Sequence, residues 1–399
     1  MSSDDFLHLP ELWVLDPAVI HLNHGSFGAC TRIGLDRQSD IRRQMEANTL
    51  RFFEGDLPDL LMSSRHSLAG FVGAEADNLV FVTNATTGVN TVLASLQLSP
   101  GDVLLVTNHG YNACTNAARF YAGRAGAVVE TVDLPFPITD PEEIVQKILG
   151  ACDDRTRLLL IDHVTSLTGL VLPLDRLVPL VQKRGIEVLV DGAHAPGMLP
   201  LGLESLGADY YTGNCHKWMC CPKGTGFLYV QPEHQGSIPP LVISHGMNRP
   251  LVDTSRFRLE FDWTGTWDPS GLIAIPTVIE QLGGLSKGGW AKVMERNKAL
   301  AIEGRQIICQ ALKIEAPAPV QMLGSMAALR LPGSDGILRI DVDKVDPLKS
   351  LIRARHRIEV SLSPWLSPPG RFLRISAQLY NSLADYTRLA EAVVAELAI

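Results

Sequence analysis

The sequence predicts an α/β protein, with a large domain on a mostly parallel seven-stranded sheet followed by a smaller C-terminal α+β domain. Three observations predict it. From about residue 78 to 230, short β-branched runs alternate with helix-like segments, the rhythm of a parallel sheet covered on both faces. After about 231 that rhythm gives way to a Pro-rich, irregular stretch, then long helical segments and a few late strands. A chain of 399 residues with 46% hydrophobic content is also larger than one core usually holds together, so two lobes are expected.

Taken in order, strands are expected at NLVFVT (78–83), DVLLVT (102–107), AVVETVD (127–133), RLLLIDHV (157–164), IEVLVDGAH (186–194), ADYYTG (208–213) and GFLYV (226–230). The segments between them carry apolar residues at helical spacing, as in TTGVNTVLASLQL (86–98), NACTNAARFYAGRAG (112–126), PEEIVQKILGAC (141–152) and PLDRLVPLVQKRG (173–185). Beyond them come helices around 270–312, a strand at MAALRLP (326–332) and an amphipathic helix near 344–357. Strands at IEVSL (358–362) and RFLRIS (371–376) and a last helix near 382–397 follow. The expected division is an N-terminal arm (1–30) that joins the small domain and the active site, a large domain (31–270) and a small domain (271–399). There are no internal repeats and no low-complexity segments.

Composition narrows the function. A net charge of −8 and a pI near 5.8, with no local run of Lys or Arg, argue against nucleic acid and for a small-molecule partner. No long uncharged apolar run could span a membrane. The opening MSSDDFLHLPELWVLDP has acids where a signal peptide carries positive charge, and no apolar stretch follows, so a cytoplasmic protein is expected. Seven cysteines fit buried or free thiols better than a disulfide framework. Cys215, Cys220 and Cys221 beside His216 lack the spacing of a zinc site and have no second ligand pair, so they are read as packing residues.

Ligands of open parallel sheets bind at the carboxyl ends of the strands, and here those ends are unusually polar. NATTGVN places Asn84, Ala85, Thr86, Thr87 and Gly88 between a strand and a helix, where backbone N–H groups and hydroxyls suit a phosphate; a Thr there also serves simply as an N-cap. VDGAHAPG puts Asp191 at the end of a buried strand, where a carboxylate needs a partner. A protonated heterocyclic nitrogen is one such partner, and an N-cap role for the next turn is the alternative. His194 either hydrogen-bonds the same ligand or is a satisfied core histidine. In GNCHKW, Lys217 sits among apolar neighbours, which ease loss of its proton and make it a nucleophile toward carbonyls; otherwise it snorkels to the surface or pairs with an acid. Together, a phosphate cradle, a carboxylate for a ring nitrogen and a Schiff-base lysine match what pyridoxal 5′-phosphate (PLP) requires.

NATTGVN, HVTSLTGLVLPL, VDGAHAPG, GNCHKWMCCPKGTGFLYV, TGTWDPSG and LRISAQLYN, in this order, resemble the motifs of the class V aminotransferase and cysteine desulfurase superfamily, of PLP fold type I. With HLNHGSFGAC near the N-terminus, the chain is most similar to the isopenicillin N epimerase-like subgroup, from about residue 20 to 395. The resemblance implies that Lys217 forms the Schiff base with the cofactor and that Asp191 pairs with its ring nitrogen. It implies that His194 lies by the ring oxygen, and that Ala85, Thr86, Thr87, His216 and Asn214 hold the phosphate. Tyr111 falls where relatives stack an aromatic ring on the cofactor, with His109 as the second choice, and Ser166 falls within reach of the ring oxygen. Gly265 and Thr266 resemble the pair that reaches the phosphate from the other subunit of a homodimer. Arg374 resembles the arginine that binds the substrate's α-carboxylate, and Asn23, Gly25 and Ser26 are expected at the substrate entrance.

For the reaction, the resemblance implies an epimerase or racemase acting at Cα of an amino acid or peptide-like substrate. A PLP-dependent C–S lyase or cysteine desulfhydrase and an aminotransferase are the alternatives. Epimerisation needs an acid or base on each face of Cα, and Lys217 supplies one of them; β-elimination needs only Lys217 and a leaving group. Desulfurases need a cysteine shortly before the carboxylate-binding arginine, and residues 310–399 contain none, which disfavours that activity. A PLP-fold protein without catalysis is a further alternative, against which the intact Lys217 and Asp191 stand.

Overall fold

A computed structural model describes residues 7–252, 254–333, 346–366 and 369–397. The expected alternation forms a seven-stranded sheet from β1 (Leu79–Val82), β2 (Val103–Thr107), β3 (Val128–Val132), β4 (Thr156–Asp162), β5 (Glu187–Gly192), β6 (Tyr210–Asn214) and β7 (Gly226–Val230). Its order is β1-β7-β6-β5-β4-β2-β3. Only β7 runs antiparallel to its neighbours. Side chains along the parallel strands alternate between two cores. Val103, Leu105, Leu159, Ile161, Val188 and Val190 enter one, and Leu104, Val106, Leu158, Leu160 and Leu189 the other. Burial of each such side chain stabilises the fold by roughly 1.5–3 kcal/mol.

Helices α1 (Arg32–Ala47) and α2 (Leu57–Val72) cover the first face, and α3 (Ala85–Ser95) and α4 (Asn112–Ala125) the second. Both α3 and α4 start immediately beyond the carboxyl ends of strands, so their N-termini converge there. Asn84 caps α3, its Oδ1 accepting from the Thr87 N–H at 2.9 Å.

The C-terminal part folds around its own core. Strands β8 (Met326–Arg330), β9 (Ser361–Leu366) and β10 (Pro369–Ser376) form an antiparallel sheet with β10 in the middle. The long helix Gly289–Leu312 and the last helix Leu383–Leu397 pack against each other and this sheet. Residues 272–282, beyond the expected division at 270, pack instead into the first core of the large sheet, because the helix Ile275–Gly283 lies on α1 and α2. The N-terminal arm packs on the small core: Ile20–His21 pairs in parallel with Ile358–Glu359 as a separate two-stranded sheet, and Leu22 enters the small core. Part of the expected helix near 344–357, at 344–345, lies outside the described residues. No helix among the described residues is long and apolar enough to cross a membrane.

Candidate active site

A cavity of about 280 Å³ opens at the carboxyl ends of β4, β5 and β6, close to the lower end of the usual ligand-site range of roughly 300–1,000 Å³. Ala85, Thr86, Tyr111, Ser166, Asp191, His194, Asn214, His216, Lys217 and Ser26 line it, so most of the residues singled out from five separate strand ends meet around one space.

Its floor is electrostatic. Asp191 and Asp162 are register partners on adjacent parallel strands, and both line the cavity on the side where α4 begins. The Asp191 carboxylate, 4% exposed, accepts from the Ala193 N–H at 3.0 Å and from the Cys114 thiol at 3.1 Å. Burial, and then the charge of Asp191, hold the Asp162 carboxyl well above the usual carboxylate range. Burial lowers the Lys217 pKa to about 8 against the opposing pull of Asp191. Its Nζ lies 3.1 Å from Nε2 of His194.

The anion end lies at the start of α3. The Ala85 N–H donates to Asn214 Oδ1 at 2.8 Å and the Thr87 N–H to Asn84, which leaves the Thr86 N–H without an acceptor among the described residues. Asn214 therefore anchors the cradle by holding the helix start. His216 donates from Nδ1 to the Thr225 carbonyl at 3.0 Å, and burial lowers its pKa to about 4. With Nδ1 so engaged, it can donate to an anion only through Nε2 as the imidazolium, a form that a bound phosphate's charge would favour. Thr87 bonds Thr83 and Asn84 and faces a neighbouring cavity of about 330 Å³ instead. That cavity is lined also by Thr264 and Trp267, on either side of Gly265 and Thr266, which line neither space. Tyr111, 45% exposed, stands at the wall, whereas His109 is buried against Thr168 at 2.8 Å and lines no part of the cavity.

The rim is built from the arm and the small domain. Arg374 on β10 donates to the Ser166 carbonyl, to Asn23 Oδ1 at 3.1 Å and to Ser26 Oγ at 3.2 Å. It is buried, burial lowers its pKa to about 10, and no carboxylate among the described residues pairs with it. Arg374, Asn23 and Gly25 stand just behind the wall that Ser26 and Ser166 form. A Cβ at Gly25 would lie 3.4 Å from the guanidinium and 2.5 Å from Met326 Sδ. Gly28, at φ +70°, lets the arm cross the lysine: a Cβ there would meet His216 O at 2.1 Å and Lys217 Cα at 2.8 Å. His24 adds a bond from Nε2 to the Lys217 carbonyl at 3.0 Å.

Sequence reasoning passed over Asp162, Trp218 and His24. Asp162 carried the same signal as Asp191, a carboxylate ending an apolar strand. The other two carried none, since their roles come from partners distant in sequence. Cys215, Cys220 and Cys221 are core residues, and no metal-binding group occurs among the described residues.

An amine with lowered pKa, a buried carboxylate beside it, an open helix-start amide and an aromatic wall within one cavity fit PLP. Comparison with known proteins agrees. The chain is 37% identical to isopenicillin N epimerase of Amycolatopsis lactamdurans over 95% of each chain. It is 30% identical to a probable chloroplastic L-cysteine desulfhydrase of Arabidopsis thaliana, over 95% of this chain and 83% of that one. Its fold superposes on a cysteine desulfurase of Escherichia coli with a TM-score of 0.79 at 20% identity, covering 100% and 99% of the two chains. Residues 43–389 match the family described as aminotransferase class-V, and the chain belongs to that family.

Proposed function

We propose that this chain is a PLP-dependent enzyme acting at Cα of an amino acid or amino-acid-containing substrate, an epimerase of the isopenicillin N epimerase type. The observation that carries the reading is the buried guanidinium of Arg374, unpaired by any carboxylate of the described residues and set behind a cavity that holds a low-pKa lysine. A buried cation without a counter-ion is costly, and a substrate carboxylate supplies one in the bidentate geometry arginine favours.

When bound, PLP draws electron density from Cα and so acidifies its proton. Asp191 would hold the proton on the ring nitrogen, Thr86 and His216 would bind the phosphate, and Tyr111 would stand against the ring. Arg374, steadied by Asn23, Ser26 and the Ser166 carbonyl, fixes the carboxylate and therefore the direction of the Cα–H bond. Lys217 Nζ would hold the cofactor and would take the Cα proton. At pH 7 a group of pKa about 8 is about one-tenth free amine, enough to serve both tasks.

A C–S lyase is the second reading, favoured by the desulfhydrase relative. None of the seven cysteines lines the cavity, which speaks against persulfide-forming desulfuration. Turnover of an amino-acid panel in deuterated water separates the readings. Cα deuteration with inversion supports the epimerase, and pyruvate with ammonia and sulfide supports the lyase. A keto acid without ammonia supports an aminotransferase, and no exchange at Cα with any amino acid would sink all three. The proposed assembly is a homodimer. The exposed apolar side chains Leu241 and Val242 line the second cavity, which Thr87 at the start of α3 also faces, and Gly265 and Thr266 of another copy would approach the phosphate from that side. A sedimentation mass of one chain, 43.4 kDa, would refute it.

A further inference from the structure

Three hydrogen-bonding groups stand in a row beneath the cavity, and the donor inventory of each fixes the direction of the bonds between them. The indole N–H of Trp218 lies 3.3 Å from Nδ1 of His194, and Nε2 of the same ring lies 3.1 Å from Lys217 Nζ. An indole nitrogen only donates, so Nδ1 must be bare to accept from it. A neutral imidazole then carries its proton on Nε2, aimed at the lysine. An ammonium has three donors and no lone pair, so this contact closes as a hydrogen bond only when Lys217 is the free amine.

The neutral state of His194 has an independent cause. The ring is buried, and burial, followed by the charges of Lys217 and Arg374, holds its pKa well below the usual histidine value. The titratable and charged groups that face it are Lys217, Arg374, His24 and His216, together with Asp191 near the end of the strand that precedes it.

Trp218 is placed rigidly enough to dictate the tautomer. It is 1% exposed, and the His24 ring rests on it with centroids 4.9 Å apart. On the other side the VDGAHAPG turn closes onto its backbone, with Gly197 at φ +84°, where a Cβ would lie 2.5 Å from the Trp218 carbonyl carbon. His24 repeats the arrangement on the lysine's main chain: the Tyr380 hydroxyl donates to Nδ1 at 2.8 Å, and Nε2–H donates to the Lys217 carbonyl. Two histidines, each with Nδ1 occupied by an aromatic donor, thus grip Lys217 by its amine and by its carbonyl.

We propose that Trp218 is a positioning residue: by occupying Nδ1 of His194 it fixes the ring proton on Nε2, so that His194 meets Lys217 only as a donor and favours the free amine over the ammonium in the cofactor-free protein. The inference rests on Lys217 being the reactive amine of the proposed function. The arrangement favours release of any proton that Lys217 takes up, because protonation sets two donors face to face. Without the indole donor, His194 can move its proton to Nδ1, offer a bare Nε2 to the ammonium and so stabilise it.

The test uses the full-length chain with ¹⁵N-labelled histidine, the His194 signals being assigned by their loss in His194→Gln. Nitrogen shifts are expected to report the Nε2–H tautomer in the wild type and a shift of population to Nδ1–H in Trp218→Phe. The pH midpoint for reductive methylation of Lys217 in cofactor-free protein, read by mass spectrometry, should rise by about one unit in Trp218→Phe, a tenfold change in proton affinity. A merely structural tryptophan would move neither reading. An Nδ1–H tautomer in the wild type overturns the proposal without any variant, as does an unchanged tautomer and midpoint in Trp218→Phe. Should Lys217→Ala retain turnover, the functional reading falls, whereas the tautomer measurement still decides the role of Trp218.

Discussion

The floor and the rim of the cavity are made in different ways. Asp162, Asp191, Asn214 and Lys217 of the floor end or closely follow strands of one sheet, and their spacing is fixed by strand register and backbone hydrogen bonds. The rim is assembled across the chain: Asn23 and Ser26 meet Arg374 about 350 residues later, and the arm reaches them only because Gly28 can cross over Lys217. The floor is therefore suited to holding a cofactor permanently. The rim, drawn from a separate core, is suited to recognising what comes and goes, and substitutions that act on one region and spare the other test that division.

The largest effect is expected at the floor. Lys217→Ala should lower turnover by about 10³-fold or more, since it removes both the point of attachment and the base. The absorption band that borohydride fixes to the wild-type chain should be lost as well. In the cofactor-free wild type, the reaction of Lys217 with a small aldehyde should rise with pH through about 8 and level off above it, because its folded pKa is lowered from 10.5 and the free amine reacts. Turnover that survives Lys217→Ala would end the assignment. At the rim, Arg374→Ala should raise KM for the amino acid by about 10–150-fold, the worth of hydrogen bonds to a charged group, while cofactor retention stays near wild type. Loss of cofactor with KM unchanged would reverse the proposed roles.

This division also explains what could be read from the sequence. All seven strands of the large sheet fall where β-branched runs predict them, since a strand buried on both faces leaves a contiguous apolar signature. That Lys217, Asp191, His194 and Thr86 would meet around one cavity was legible because strand ends mark ligand sites and the motifs are local. Thr87 could not be told from Thr86: which of two adjacent threonines lines this cavity depends on the helix phase set by the Asn84 cap. The support that Ser166 gives to Arg374 through its carbonyl was illegible, because a backbone atom has no residue-type signal. The packing of residues 272–282 on the large sheet was hidden for a similar reason, as an amphipathic helix shows that it has a partner without showing which.

A smaller effect is expected where rim meets floor. Gly28→Ala puts a methyl group 2.1 Å from the His216 carbonyl at a φ of +70°, so the arm must shift, at a cost of about 1–3 kcal/mol. Amide exchange in residues 20–30 should quicken and kcat/KM should fall by roughly tenfold, with the large sheet's protection unchanged. Equal loosening of both regions would show that the arm is not the separable part.

The smallest effect is expected inside the floor, at the other carboxyl. Asp162 sits beside Asp191 on the next strand, and burial with the neighbouring charge keeps it protonated well above the usual range. Asparagine has nearly the same shape as a protonated aspartic acid and is likewise neutral, so Asp162→Asn should change turnover and its pH profile by less than about twofold. Asp191→Asn replaces the carboxylate proposed to pair with the ring nitrogen and should cost about 10²-fold, in line with the loss of a preorganised electrostatic partner. The contrast is informative because the two residues share register, burial and strand environment. If Asp162→Asn cost as much as Asp191→Asn, the charge would have to be spread over both carboxyls, and the cofactor's ring nitrogen would face a pair of acids instead of one base held by a thiol and an amide.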